Sequence, residues 1–90
     1  MREMHIERKV CDYAQSLGWL VFKLAWPGMS GAPDRMLIKN GVIIFIEFKA
    51  PNKKPRPLQK EVIEGLRRAG MIVGVIDNVE DGKRFIDENS

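Results

Sequence analysis

The 90-residue sequence contains a single cysteine and no long apolar run. Cys11 alone can form no disulfide within the chain, and it offers no pair of thiolates for structural zinc. The longest uninterrupted apolar run extends from Val42 to Ile46, far short of the ~20 residues that a membrane span needs. The charged residues 1–5 are not followed by the apolar core of a signal peptide, so secretion is not expected. These absences predict a cytoplasmic protein that makes no use of a membrane.

The composition predicts one globular domain over residues 1–90. Hydrophobic residues make up 44% of the chain and charged residues 30%, values close to globular averages and unlike those of disordered or collagen-like chains. A chain of this length cannot be divided into two units that each bury a core. Because it contains no internal repeat, low-complexity tract or linker, we expect the whole chain to be the functional unit.

Charge is distributed unevenly along the chain. The formal net charge of +3 permits a nucleic-acid partner without proving one. Residues 49–60 contain five basic residues and no acidic one, whereas residues 77–88 contain five acidic residues against two basic ones. Three prolines within residues 51–57 exclude regular structure there, so this part of the basic segment is expected to be a cationic loop.

Hydrophobic spacing predicts three helices. Apolar side chains recur at helical spacing over residues 4–17, and Gly18 stands where a left-handed C-terminal cap belongs. A second helix is expected over residues 58–69, and Asn78 can cap a third, short one. The apolar positions expected to face the core from the second helix are Leu58, Val62, Leu66 and Ala69.

Four segments are expected to be strands. Residues 19–26 are rich in aromatic and branched side chains, and residues 71–76 are nearly all apolar, as in a buried strand. Residues 35–39 and 42–48 flank Asn40-Gly41, a dipeptide whose tolerance of positive φ is typical of the type I′ turn of a β-hairpin. The predicted order of elements is αβββαβα.

The register of this hairpin brings two carboxylates together. A two-residue turn at Asn40-Gly41 fixes the pairing so that Asp34 stands opposite Glu47. Opposed residues of an antiparallel pair have Cβ atoms ~4.5–5.5 Å apart, and alternation places Lys49 on the same face as Glu47. Because like charges placed opposite each other destabilise a sheet, a neutralising partner is expected.

Two interpretations of this cluster are open. A divalent cation such as Mg²⁺ or Mn²⁺ prefers hard oxygen ligands, and one carboxylate from each strand with waters would hold it. Alternatively, Lys49 neutralises Glu47 in an ordinary ion pair, and Asp34 only begins a strand. The tripeptide Glu47-Phe48-Lys49 by itself favours the ion pair, so the surrounding pattern has to decide.

That wider pattern resembles a nuclease family. Gly31-Ala32-Pro33-Asp34 precedes the hairpin, Glu47-Phe48-Lys49 ends it, Gln59 opens a helix, and Glu7 lies on a preceding one. In this order the motifs resemble the PD-(D/E)XK nucleases, and more narrowly the virus-type replication-repair nuclease domain, VRR-NUC, in its minimal stand-alone form. The resemblance extends from Glu7 to about Ile76. It implies an α/β fold with a restriction-endonuclease-like core, in which helices flank a mixed sheet.

The resemblance also implies roles for single residues. It makes Asp34 and Glu47 the carboxylates that bind Mg²⁺ or Mn²⁺, with the backbone carbonyl of Phe48 as a further ligand. Glu7 resembles a helix-1 glutamate that approaches the metal directly or through water. The helical pattern alone would make Glu7 an ordinary surface charge.

Two further residues are implied in catalysis together with Asp34 and Glu47. Lys49 would position or activate the attacking water and stabilise charge that develops on the phosphate. Gln59 would help to set that water or bind the phosphate backbone, although its position also suits a solvated polar residue. Nearby basic residues are expected to contact DNA phosphates, the alternative being a solvated surface. These residues are Lys53, Lys54, Arg56 and Lys60.

The expected activity is Mg²⁺-dependent hydrolysis of DNA phosphodiesters with a preference for structure over sequence. A chain this short has little room for elements that read bases. One chain is expected to hold one metal site, so a C2 homodimer would cut both strands of a duplex or a four-way junction. The setting implied is a bacterial or phage-infected cell. Two other functions stay open: a DNA-binding or assembly module without turnover, and a nuclease subunit that needs a separate specificity chain.

Overall fold

The computed structural model describes residues 1–90 and contains three helices and one four-stranded sheet. Their order along the chain is the predicted αβββαβα. None of the three helices combines the length with the apolar composition that crossing a bilayer requires. The helices are α1 (Glu3–Ser16), α2 (Pro57–Arg68) and α3 (Val79–Asn89), and the strands are β1 (Leu20–Lys23), β2 (Arg35–Lys39), β3 (Val42–Phe48) and β4 (Ile72–Ile76).

The sheet is mixed, as the family resemblance implies. The strands lie side by side in the order β1-β2-β3-β4. The first three are antiparallel to one another, whereas β4 runs parallel to β3. A parallel neighbour requires a crossover connection, and α2 provides it. The two edges of the sheet are therefore β1 and β4.

Helices cover both faces of this sheet. On one face, here named the α1/α3 face, β2 and β3 pack against α1 and α3 in the larger apolar core. On the opposite face, named the α2 face, Ile63 of α2 packs against Phe45 and Val73. Full burial of such side chains contributes roughly 1.5–3 kcal/mol each to folding. The larger core consists of Ile6, Val10, Cys11, Ala14, Trp19, Leu37, Ile44, Ile46, Phe48, Ile76 and Ile86.

The hairpin has the predicted turn and register. Asn40 and Gly41 have φ values of 50° and 80°, so both central residues adopt the positive φ of a type I′ turn. Lys39 pairs with Val42, and the pairing continues without a bulge to Arg35 opposite Ile46. One step further outward, at the end of the paired region, stand Asp34 and Glu47.

Some element boundaries differ from those that the sequence predicts. The first strand ends at Lys23 and not at residue 26, although the amide of Leu24 still donates to the Asp34 carbonyl at 3.0 Å. Helix α2 begins at Pro57, one residue before the predicted start, because proline is well accommodated in the first turn of a helix.

The face that α2 buries is the main error of the sequence analysis. Leu58 was expected to face the core, but it is 49% exposed. The residues of α2 that are buried are Gln59 and Ile63. Gln59 is drawn inward by polar partners at the end of the hairpin, so Leu58 is turned towards solvent, whereas Leu66 packs against the cluster of Phe45, Ile63 and Val73 as predicted.

Candidate active site

The candidate site lies where β3 ends, on the α2 face of the sheet. Glu47 lies two residues after Phe45 on β3 and so on the same face of the sheet, and it is only 2% exposed, which is unusual for a carboxylate. Its register partner, Asp34, lies at the end of the loop that leads into β2. The observed pairing confirms the predicted hairpin register as far as Arg35–Ile46, and its continuation by one step places Asp34 opposite Glu47.

Pro33 and Asp34 together change the hydrogen bonding at the end of β3. In this register Pro33 stands opposite Phe48. The N–H and C=O groups of successive β3 residues point alternately towards β2 and β4, and those of Phe48 point towards β2. Pro33 has no amide hydrogen, so the ladder cannot supply a donor to the Phe48 carbonyl. The Phe48 N–H donates instead to the Asp34 side chain, with 2.8 Å between N and Oδ2. The local sequence therefore fixes the Asp34 carboxylate and leaves the adjacent carbonyl without its usual partner.

Only one of the two oxygens of the Glu47 carboxylate is hydrogen-bonded. Its Oε2 accepts from Gln59 Nε2 at 3.0 Å and lies 3.1 Å from Lys49 Nζ. Its Oε1 is buried and has no hydrogen-bond partner. Native proteins leave few buried polar atoms unsatisfied, because each costs roughly 1–3 kcal/mol of stability.

Gln59 connects the residues of the cluster to α2. Its Oε1 accepts from Lys49 Nζ at 2.8 Å and from the backbone N–H of Arg56 at 3.0 Å. Its Nε2 donates to Glu47, so both polar atoms of the side chain are engaged within the protein. Gln59 therefore fixes the positions of the ammonium and the carboxylate together, and it also satisfies an amide at the start of the helix.

Both carboxyl groups are harder to ionise than usual. Burial raises the pKa of Glu47, the nearby Asp34 carboxylate raises it further, and the Lys49 ammonium partly offsets these effects. Burial likewise raises the pKa of Asp34, against which the Phe48 N–H and Lys49 act in the opposite direction. A positively charged group bound between the two carboxyls would stabilise their ionised forms and lower both pKa values.

The side chains present fit a hard divalent cation. An orphaned, buried carboxylate oxygen lies near a second carboxylate, and the adjacent Phe48 carbonyl faces a proline that has no N–H to donate. Oxygen donors of this kind are those that Mg²⁺ and Mn²⁺ prefer. The cluster has two acidic side chains and not three, since no three His, Cys, Asp or Glu side chains converge anywhere in the chain. Water would have to supply further ligands.

Glu7 does not complete such a group of three. Its Oε2 lies 2.6 Å from Arg35 Nε, in an ion pair between α1 and the first residue of β2. Arg35 alternates onto the opposite side of the sheet from Asp34, so this ion pair joins α1 to the sheet. Glu7 nevertheless lies close enough to Asp34 to raise the pKa of that carboxyl. Its role as a direct or water-mediated ligand stays a prediction.

The loop before Asp34 packs directly on the start of α2. Gly31 has a φ of +95°, and a Cβ added there would lie 3.2 Å from the Leu58 carbonyl oxygen and 3.3 Å from the Gln59 nitrogen. Only glycine combines this backbone conformation with so close an approach. Beside this contact lies a groove of about 380 Å³ lined by Ser30, Gly31, Arg56, Pro57, Leu58 and Gln59.

The predicted DNA-binding residues fall into two groups. A larger groove of about 590 Å³ lies between α2, β4 and the loop of residues 49–56, here named the basic loop. It is lined by Lys53, Lys54 and Lys60. Arg56 instead lines the smaller groove beside Gln59. Arg67 shares the larger groove with the lysines but is not among the DNA-binding residues predicted from the sequence. Its spacing of seven residues from Lys60, two helical turns, could have indicated the shared face.

Comparisons with known proteins give two close similarities. No family model matches the chain. A solved structure described as "VRR_NUC domain" superposes with a TM-score of 0.90 at 33% identity, covering 98% of this chain and 97% of the other. A protein of Acyrthosiphon pisum secondary endosymbiont phage 1, named "Putative nuclease p44", is 38% identical over 79 residues, which are 87% of this chain and 85% of the phage protein. Both similarities extend over nearly the whole length of each chain.

Proposed function

Because this chain belongs to the VRR-NUC family of nuclease domains, we propose that it is a Mg²⁺- or Mn²⁺-dependent endonuclease that hydrolyses phosphodiester bonds of DNA. The observation that carries the proposal is the buried, unpartnered Oε1 of Glu47 beside Asp34. An ordinary ion pair would leave no reason for that oxygen to stay buried without a partner.

The residues that would hold the cation are Asp34, Glu47 and the carbonyl of Phe48, with Glu7 acting directly or through water. When bound, the cation would act as a Lewis acid on the scissile phosphate and lower the pKa of a bound water. Asp34 is held in place for this role by its hydrogen bond from the Phe48 N–H. Glu47 is held by Gln59 and Lys49, which leaves Oε1 available.

Lys49 would provide the positive charge that stabilises the developing charge on the phosphate, and it would position the attacking water. Its Nζ is anchored by Gln59 Oε1 and Glu47 Oε2, so the ammonium needs little rearrangement before the reaction. Both polar atoms of Gln59 are already used within the protein, so its contribution is to position Lys49 and Glu47. This positioning role differs from the direct contact with water or phosphate that the family resemblance implies for Gln59.

We further propose that the protein acts as a homodimer with a preference for branched DNA such as a four-way junction. One chain has one carboxylate pair, so cuts in two strands require two copies. An exposed apolar surface supports self-association: Leu20, Phe22 and Ile43 are 59%, 44% and 41% exposed on the part of the sheet that α2 leaves open. The unpaired edge of β1 borders this surface. The phage relative suggests the cytoplasm of a bacterial or phage-infected cell as the setting.

Cleavage of labelled duplex, flap and four-way-junction DNA, with Mg²⁺ or with EDTA, tests the function. We expect metal-dependent cleavage with paired, symmetric nicks near the branch point of the junction. Equal cutting of every form would contradict the preference for branched DNA but keep the nuclease. Binding without any metal-dependent cutting would contradict the nuclease and favour a DNA-binding or assembly module of the same fold.

A further inference from the structure

The larger of the two grooves described above is cationic and separate from the candidate active site. It has a volume of about 590 Å³, and none of the active-site residues Asp34, Glu47, Lys49 and Gln59 lines it. Its apolar lining residues are Ile63 and Val75, and the other lining residues come from the basic loop, α2 and the residue after β4. The charged residues of its lining are Lys53, Lys54, Lys60, Glu64, Arg67 and Asp77.

None of the four cations of this groove forms a close ion pair, and the only charge interaction resolved within it is that of Lys54, which helps to lower the pKa of Asp77. The ion pairs of the chain are Arg35–Glu7, Lys49–Glu47 and Arg84–Asp81, and no residue of the groove takes part in them. Four positive charges therefore face two carboxylates in one concave surface. Such an excess in a cleft concentrates the positive potential and attracts an extended anion.

Backbone contacts hold the walls of the groove in place. Asp77 Oδ2 accepts from the backbone N–H of Asn52 at 3.0 Å, which ties the basic loop to the end of β4. Asn52 adopts a φ of 65° in this contact. Arg67 Nη2 donates to the Val73 carbonyl oxygen at 2.7 Å, at the outer edge of the sheet. The guanidinium of Arg67 is thus fixed beside the groove while the rest of its donors stay available.

Two of these cations, Lys60 and Arg67, are far enough apart to contact different phosphates of one nucleic-acid strand. Lys60 and Arg67 lie seven residues apart on one helix, a separation of about 10 Å along the axis. One strand of duplex DNA presents a phosphate about every 3.4 Å of helix axis, so α2 laid parallel to that axis would span roughly three phosphates with these two residues. Neither aromatic side chains nor amides line the groove, so the lining is suited to reading phosphates and not bases.

We propose that this groove binds the phosphate backbone of DNA at a distance from the scissile bond, and that Arg67 and Lys60 are its main ligands. The identification of the polyanion as DNA rests on the proposed nuclease function. The Gln59 end of α2 faces the reacting carboxylates, while the Lys60–Arg67 flank holds a neighbouring stretch of the substrate. The enzyme would then require DNA that continues several nucleotides beyond the cut.

Charge-removing variants test this inference, with affinity for a fluorescent blunt-ended DNA duplex measured in EDTA over a series of salt concentrations. We expect Lys60→Gln and Arg67→Gln each to weaken binding about tenfold at low salt and to lower the slope of log affinity against log salt by about 0.9. Arg68→Gln is the matched control, because Arg68 is exposed on the same helix but does not line the groove. Lys54→Gln provides a second groove variant in case loss of the Arg67 backbone contact affects folding.

The outcomes separate the groove from the nuclease. Equal weakening by Lys60→Gln and Arg68→Gln would overturn the groove, since binding would then follow net charge alone. Displacement of the duplex by polyglutamate at equal charge concentration would also overturn it, in favour of an acidic protein partner. If the groove variants weaken binding selectively but the wild-type protein cuts no DNA with Mg²⁺, the groove stands and the proposed nuclease fails. If the protein cuts DNA and all variants bind equally, the proposed nuclease stands and the groove fails.

Discussion

At the scale of single residues, the site is formed at a cost in stability to the metal-free protein. The unpartnered Oε1 of Glu47 and the raised pKa of both carboxyls have one origin, which is the burial of two negative groups in one place. Removing one of the charges should therefore affect activity and stability in opposite directions. Removing a residue that serves only structure would lower stability without abolishing cleavage by the folded protein.

Asp34→Asn is expected to abolish cleavage and to leave the melting temperature of the metal-free protein unchanged or slightly higher. The amide oxygen of asparagine can still accept the hydrogen bond from the Phe48 N–H, while repulsion with Glu47 is lost. Nuclease assays with Mg²⁺ and thermal unfolding in EDTA measure the two effects. Normal cleavage with a large loss of melting temperature would identify Asp34 as a structural residue instead.

The stability gain of Asp34→Asn should depend on pH. The pKa of Asp34 is raised in the folded state above its ordinary value of 3.8, so the native protein binds this proton more tightly than the unfolded chain does. The ionised group therefore disfavours folding at neutral pH, and this penalty disappears as pH falls through the folded-state pKa and below 3.8. The advantage of the variant over the wild type should shrink accordingly in melts in EDTA at decreasing pH. A gain that grows towards acid pH would contradict the raised pKa.

Gln59→Leu is expected to lower cleavage about 10- to 100-fold, the range typical for residues that orient metal ligands. The substitution removes the anchor of Lys49 and one hydrogen bond to Glu47. Single-turnover rates and metal affinity measured by calorimetry should both fall. The control is Gln15→Leu, at an exposed position of α1, which should leave both unchanged. Equal metal affinity in wild type and Gln59→Leu would show that Gln59 does not position Glu47.

At the scale of elements, the hairpin could be predicted well from sequence and α2 less well. The turn at Asn40-Gly41 is local, and alternation carries its register outward without further information. The buried face of α2 depends on partners from distant parts of the chain. Leu58 is exposed and Gln59 is buried because Glu47 and Lys49 provide hydrogen bonds that hydrophobic spacing cannot reveal.

The contact between the Gly31 loop and α2 leads to a prediction with a matched control. Gly31→Ala should destabilise the protein by more than the roughly 1–2 kcal/mol that a positive φ costs an alanine, because its Cβ would press on the Leu58 carbonyl. Gly28 also has a positive φ, of +76°, but its Cβ would meet nothing within 4 Å. Gly28→Ala should therefore show the conformational cost alone in chemical denaturation. Equal losses for the two variants would mean that the loop can move away from α2.

At the scale of the whole molecule, the open part of the α2 face should determine the oligomeric state. Phe22→Glu places a charge in the exposed apolar surface and is expected to convert the proposed dimer to a monomer in light scattering coupled to gel filtration. Met4→Glu is the control, because Met4 is 73% exposed on α1, away from this surface. A wild-type protein that is monomeric at all concentrations would contradict the homodimer.

The parts of the site that could not be predicted involve contacts between elements. Arg35 forms an ion pair with Glu7 across the interface between α1 and β2. The spacing of residues in the sequence does not reveal this contact. Arg67 reaches the lysine groove only because α2 packs alongside β4. The motif that lies within one hairpin could be placed from sequence, whereas contributions from α1 and the flank of α2 required coordinates.

The uninterrupted pairing from Lys39–Val42 outward has an evolutionary consequence. One residue inserted into or deleted from β3 would transfer Glu47 and Lys49 to the other side of the sheet, because successive side chains face opposite sides. Substitutions that keep the apolar character of the hairpin leave the site intact. Related sequences should therefore differ by substitutions within this hairpin but contain no insertions or deletions there. Changes in chain length should accumulate in the loops outside it.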